Sequence, residues 1–203
     1  MSNNKGSALI FTLMVILILS VLGVAVIEMS LYEYKVSYAY ADNISVDYSA
    51  EAGLDIAKGC FNNNELINIK SIMDETKNNI INQYQQINQE LLYTAIYQAV
   101  RKYLEGSSPD YKDGIFTNYI GKTYSLNDNV SGIKNATTIS NMKITDTYIF
   151  DKNNPLPKFT IQVETIGTYR KLKKYGHAVL ILDLNKQGNP LSIKSWIIDS
   201  NQL

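Results

Sequence analysis

From Ala8 to Ile27 the chain runs through twenty consecutive residues without a charge. At about 1.5 Å of rise each, a helix of that length spans roughly 30 Å, the thickness of a bilayer's hydrocarbon core. Leu9, Ile10, Phe11, Leu13, Val15 and the similar residues that follow them up to Ile27 each favour insertion by a few tenths of a kcal/mol. Their sum is about 5 kcal/mol, against a small cost from Ser20 and Gly23. A helix buried in a protein core keeps a polar face, and this one has none. Met29 to Lys58 continues without proline, with Val36, Tyr40, Ile44, Asp47, Tyr48, Glu51 and Leu54 at helical spacing. Together these stretches predict one helix of about fifty residues and roughly 75 Å. No single domain uses such a helix alone, so its first half must be buried by something outside this chain.

Gly59 to Asn64 reads as a break, with Gly59 as a helix cap before three asparagines. Leu66, Ile69, Ile72 and Met73, then Ile80, Ile81, Tyr84, Ile87, Leu91, Leu92, Ile96, Val100, Tyr103 and Leu104 recur at three and four, the spacing of a buried helical stripe. Asp74, Lys77 and Asn78 interrupt it, leaving one helix or two joined near residues 76 to 80. Gly106-Ser107-Ser108-Pro109 ends the region. Asp110 to Asn141 is a long loop or short strands. The period then falls to two: Met142, Ile144, Asp146, Tyr148 and Phe150; Phe159, Ile161, Val163 and Thr165; the apolar run Ala178 to Leu184; and Leu191, Ile193, Ser195 and Ile197. Turns at Asn153-Asn154-Pro155 and Gln187-Gly188-Asn189-Pro190 make neighbouring strands antiparallel. The expected fold is α+β: a long N-terminal helix, its second half packed on a four-stranded antiparallel sheet, with a helical insertion between.

Nineteen basic and nineteen acidic residues balance to zero net charge, which gives no overall attraction for nucleic acid or an acidic partner. Cys60 is the only cysteine, so it is either a free thiol or a link between subunits. His177 is the only histidine, which excludes histidine-based metal clusters. A Cys60 and His177 pair lacks any orienting motif, no glycine-rich phosphate loop is present, and Asp146, Asp151, Glu164 and Asp183 lack calcium-loop spacing. No catalytic residue, metal site or cofactor is expected. Arg170, Lys171, Lys173 and Lys174 form one basic cluster, interleaved with Tyr169, Leu172 and Tyr175. Such a cluster holds DNA or a surface ligand, or simply keeps a hairpin turn soluble. The tyrosines Tyr84, Tyr93, Tyr97 and Tyr103 form either a binding face or a half-buried helix surface. Sequons at Asn43, Asn129 and Asn135 matter only in a host that glycosylates them.

Before the apolar run stands a polar leader, Met1 to Gly6, carrying Lys5, with a small-residue junction at Gly6-Ser7. Lys5-Gly6-Ser7 followed by an apolar helix resembles the class III leader of type IV pilins and pseudopilins. Tyr48-Ser49-Ala50-Glu51-Ala52-Gly53-Leu54 resembles the Y-x-A-E-A-G-L element of PilX-type minor pilins and the K-type pseudopilins of type II secretion. The run from Phe159 to Tyr169 is similar to the strand before the final hairpin of such heads. The resemblance implies that a prepilin peptidase cuts after Gly6 and methylates Ser7. It implies a single-pass membrane precursor whose helix lies in lipid, then packs against the helices of other pilins once an assembly platform extracts it into an extracellular pilus or pseudopilus. Most pilins of the family have a glutamate as fifth mature residue, where this chain has Phe11. That departure points to a minor or tip subunit, and Glu28 then marks the membrane boundary. The chain so divides into a leader (1–6), an assembly helix and its extension (7–58), a helical insertion (59–109) and a sheet (110–203). Physically, Ala50, Ala52 and Gly53 let the helix lie close against a sheet. A plain membrane-anchored sensor or adhesin is the alternative of another class.

Overall fold

A computed structural model describes residues 5–84, 88–107, 113–126, 135–186 and 188–200. Met1, Ile87, Ser108, Pro109, Asp110, Asn129 and Gln187 lie outside the described residues. The chain divides into two units, Met1–Asn43 and Ile44–Leu203. Helix α1, Lys5–Gly59, has 55 residues; it provides the described part of the first unit and opens the second. Its hydroxyls bond to the preceding turn, Thr12 Oγ1 donating to the Ala8 carbonyl at 2.6 Å, Ser20 to Ile16 at 2.8 Å and Ser30 to Val26 at 2.9 Å. These polar groups are therefore satisfied without water.

In the second unit, α2 (Asn63–Gln83) and α3 (Gln89–Glu105) follow. Asn62 caps α2 by accepting from the Glu65 N–H at 3.0 Å, and Asn88 caps α3 by accepting from Glu90 at 2.9 Å. There are two helices, and their break falls after Gln83 rather than near 76–80. Asp74, Lys77 and Asn78 are exposed, so the polar interruption is the outer face of α2 and not its end. A short 3-10 turn (Ile115–Asn118) leads to β1 (Thr123–Ser125), β2 (Asn135–Ile144), β3 (Lys158–Tyr169), β4 (Leu172–Asp183) and β5 (Leu191–Asp199).

All neighbouring strands pair antiparallel in the order β1-β2-β3-β4-β5. The four expected strands are present, together with the three-residue β1 at one edge. Strand β2 lies earlier than its periodicity suggests. Asp146, Tyr148 and Phe150 alternate for another reason, since Tyr148 stacks on Tyr97 and Phe150 on Tyr93, both of α3, with centroids 5.4 and 5.9 Å apart. Asp146 instead accepts from the Thr160 N–H at 2.8 Å. Strand β4 begins earlier as well, within the lysine-rich stretch, so His177 sits mid-strand opposite Glu164.

One face of the sheet is the core. Ile139, Met142 and Ile144, Phe159, Ile161 and Val163, and Ala178, Leu180 and Leu182 are buried there with Leu54 and Ala57 of α1 and Leu92, Ile96, Val100 and Leu104 of α3. Burying a side chain such as Leu54 contributes about 2 kcal/mol. Tyr97 stacks on Phe159 at 5.0 Å, and its hydroxyl donates to the Asp146 carbonyl at 2.8 Å. Glu105, also buried, accepts from the Ile144 N–H at 2.5 Å and pairs with Arg101 at 2.8 Å, which ties the end of α3 to β2.

Candidate functional site

Every large apolar side chain of α1 from Leu9 to Tyr40 is exposed, Phe11 at 70% and Ile27 at 60%. Among the described residues, this is the one helix long and apolar enough to cross a membrane. It lacks a polar face, so twenty residues of hydrocarbon surface await a surrounding medium. Gly6 and Ser7 lie in its first turn, Phe11 one turn further, and Glu28 one residue past the uncharged run. Phe11 carries no charge and lies on the exposed apolar surface of the helix.

The motif from Tyr48 to Leu54 lies where α1 meets the sheet. Ser49, Ala50, Gly53 and Leu54 are buried, while Tyr48 and Glu51 face solvent and Ala52 is half-buried. Thr165 Oγ1 of β3 donates to the Ala50 carbonyl at 2.9 Å, and Ser49 Oγ bonds both the Ser45 carbonyl, at 2.8 Å, and the Asn135 side chain. Gly167 lies under Ala50, where an added Cβ would stand 2.7 Å from the Ala50 Cα. The small residues of the motif thus set the distance between helix and sheet. Their partners Thr137, Thr165, Gly167 and Gly176 were invisible as a site from sequence, although a lone glycine inside each of two apolar strands is the usual sign of close backbone approach.

The basic cluster is divided by the hairpin it occupies. Arg170 and Lys171 form the two-residue turn, and Arg170 adopts φ +55°, the left-handed conformation such a turn requires at its first position. Its guanidinium lies 5.5 Å from the Tyr169 ring. Lys173 and Lys174 belong to β4 and alternate faces. Lys174 is on the helix-facing side and pairs with Asp47 of α1 at 2.9 Å.

Cys60 is fully buried, and burial pushes its thiol up to about 12, with the Glu65 charge adding to the effect. It is protonated at neutral pH, and its burial favours the free thiol of the two readings. The tyrosine stripe is likewise mostly internal: Tyr97 is buried, Tyr93 stacks on Phe150, and the Tyr103 hydroxyl bonds Glu65 of α2. Tyr84 alone of the four is exposed. No group of three or more His, Cys, Asp or Glu side chains among the described residues is placed to hold a metal ion.

Residues 5–55 match the family model described as PilX N-terminal. No curated protein and no solved structure matches the chain. The family match spans the exposed apolar stretch and the buried motif together and stops before α2. Over that N-terminal segment the chain is similar to the PilX-type minor pilins, which are type IV pilin-like proteins.

Proposed function

We propose that this protein is a minor pilin or pseudopilin, made as a single-pass membrane precursor and assembled through α1 into a type IV pilus-like filament outside the cell. The observation that carries this reading is the wholly exposed run from Ala8 to Ile27 on a helix that matches the PilX N-terminal family over residues 5–55. In the precursor, lipid covers the run. In the filament, equivalent helices of other pilins replace lipid at little cost in apolar burial, and packing between helices supplies the stability. A prepilin peptidase cuts between Gly6 and Ser7 and methylates the new amine, leaving the apolar helix on the mature chain. An assembly platform then lifts it out of the bilayer.

Phe11 favours a place at or near the tip, where no subunit must be held by a buried carboxylate. The work of such a subunit is structural, and its head is free to meet a surface or DNA through the turn at Arg170 and Lys171. Intact mass measurement of protein sheared from cells tests the reading: a chain starting at methylated Ser7 is expected in the filament fraction. A chain starting at Met1 that stays with the cells after shearing would establish the anchored sensor or adhesin instead.

A further inference from the structure

Immediately past the uncharged run, α1 carries Tyr32, Tyr34, Tyr38 and Tyr40, each with 45% to 69% of its surface exposed. At about 100° per residue, Tyr34, Tyr38 and Tyr40 stand about 200°, 240° and 80° around the helix from Tyr32. They encircle the helix. A single protein partner covers one side of a helix and selects a stripe, whereas a medium that is the same on all sides selects a ring. Glu33 and Lys35 are interleaved with the tyrosines and Glu28 lies one turn before Tyr32, so the level is polar as well as aromatic.

Its height along the helix fits one layer. Side chains on a helix lean towards its N-terminus, so the rings of Tyr32 and Tyr34 reach back over the turn at Glu28 to Ser30. That is where the hydrocarbon ends when Ala8 to Ile27 fills it. A tyrosine there keeps its ring among glycerol and upper acyl carbons and its hydroxyl among headgroups. Tyr38 stacks on Tyr34 with centroids 5.9 Å apart, thickening the ring on its outer side. Lys35, at the same level, offers a cation to lipid phosphate.

We propose that Tyr32 and Tyr34, backed by Tyr38, form an aromatic collar that binds the headgroup and glycerol layer of a phospholipid bilayer and fixes the depth of α1 in the precursor. This rests on the membrane-precursor reading of the preceding subsection. The test uses the full uncleaved chain carrying Trp196→Phe, reconstituted in vesicles of phosphatidylcholine and phosphatidylglycerol brominated either near the glycerol or at mid-chain. Fluorescence of Leu17→Trp should be quenched best by mid-chain bromine. Fluorescence of Tyr32→Trp and of Tyr34→Trp should be quenched best by shallow bromine, with the shallow-to-deep ratio higher by about twofold or more than for Leu17→Trp.

Because an introduced tryptophan seeks the interface by itself, a second reporter, Val26→Trp, is read with the native tyrosines and with both Tyr32→Ser and Tyr34→Ser. Loss of the collar should change its shallow-to-deep ratio by about twofold. An unchanged ratio overturns the collar, as does a Tyr32→Trp chain quenched by neither bromine while Leu17→Trp is quenched at mid-chain. Should Leu17→Trp escape both bromines, the spanning helix itself is refuted and the collar falls with it.

Discussion

Gly167 and Gly53 hold no chemistry, yet they decide how closely α1 approaches the sheet. A Cβ at Gly53 would stand 2.9 Å from the Thr165 Cβ, and one at Gly167 would enter the backbone of Ser49 and Ala50. Gly167→Ala should therefore lower stability by about 1–3 kcal/mol, read as a reduced urea midpoint. Gly59→Ala, where an added Cβ meets nothing within 4 Å, should stay within about 0.5 kcal/mol of the parent.

Cys60 adds a pH dependence whose sign follows from its burial. Its thiol rises from an ordinary 9.0 to about 12 in the folded chain, so the proton is held more tightly folded than unfolded. The stabilisation is complete below about pH 9 and is lost as pH climbs towards 12, because the unfolded chain ionises first. Replacing Cys60 by Ala should flatten the alkaline limb of the unfolding midpoint, and iodoacetamide should label the native thiol only once denaturant is added.

Helix α1 was legible from sequence almost to its last residue, because an uncharged run and an unbroken helical spacing are local properties that no tertiary contact has to supply. Two charges inside the run should defeat it. Ile16→Arg with Leu19→Arg costs about 6 kcal/mol of insertion, more than the run's total of about 5 kcal/mol, and should move the chain from the membrane fraction into inclusion bodies or proteolysis, as cell fractionation would register. The β-elements were less legible for two reasons. Met142 to Phe150 alternates continuously, but only its first part pairs with β3, while Tyr148 and Phe150 alternate to stack on α3. Conversely, Asn135 to Asn141 is polar and threonine-rich, with no alternation to read, because the helix it faces comes close and leaves room only for small side chains. Strand β1, at three residues, is too short for any period. The break between α2 and α3 was misplaced for a similar reason: polar residues on a helix mark its outer face as readily as its end.

For the molecule entire, the family match and the fold divide the chain's tasks. The first unit presents apolar surface to its surroundings, and the second closes its core with one buried thiol and no cross-link. The unfolding midpoint of the second unit should be the same with and without dithiothreitol; a shift would mean covalent linkage between chains through Cys60, contrary to its burial. The motif within the family match was visible in the sequence as Tyr48 to Leu54, but the surface that receives it was not, since Thr137, Thr165, Gly167 and Gly176 are gathered from three strands far along the chain.

Each strand of the sheet is bonded to the next one in the chain, from β1 through β5, with no crossover. The sheet can consequently zip hairpin by hairpin, joining one neighbour at a time. The entropically demanding event is the return of this finished meander to residues 49–54, synthesised long before. Until that docking, the greasy side of the meander stands bare, and this interval is when the nascent chain most needs a chaperone.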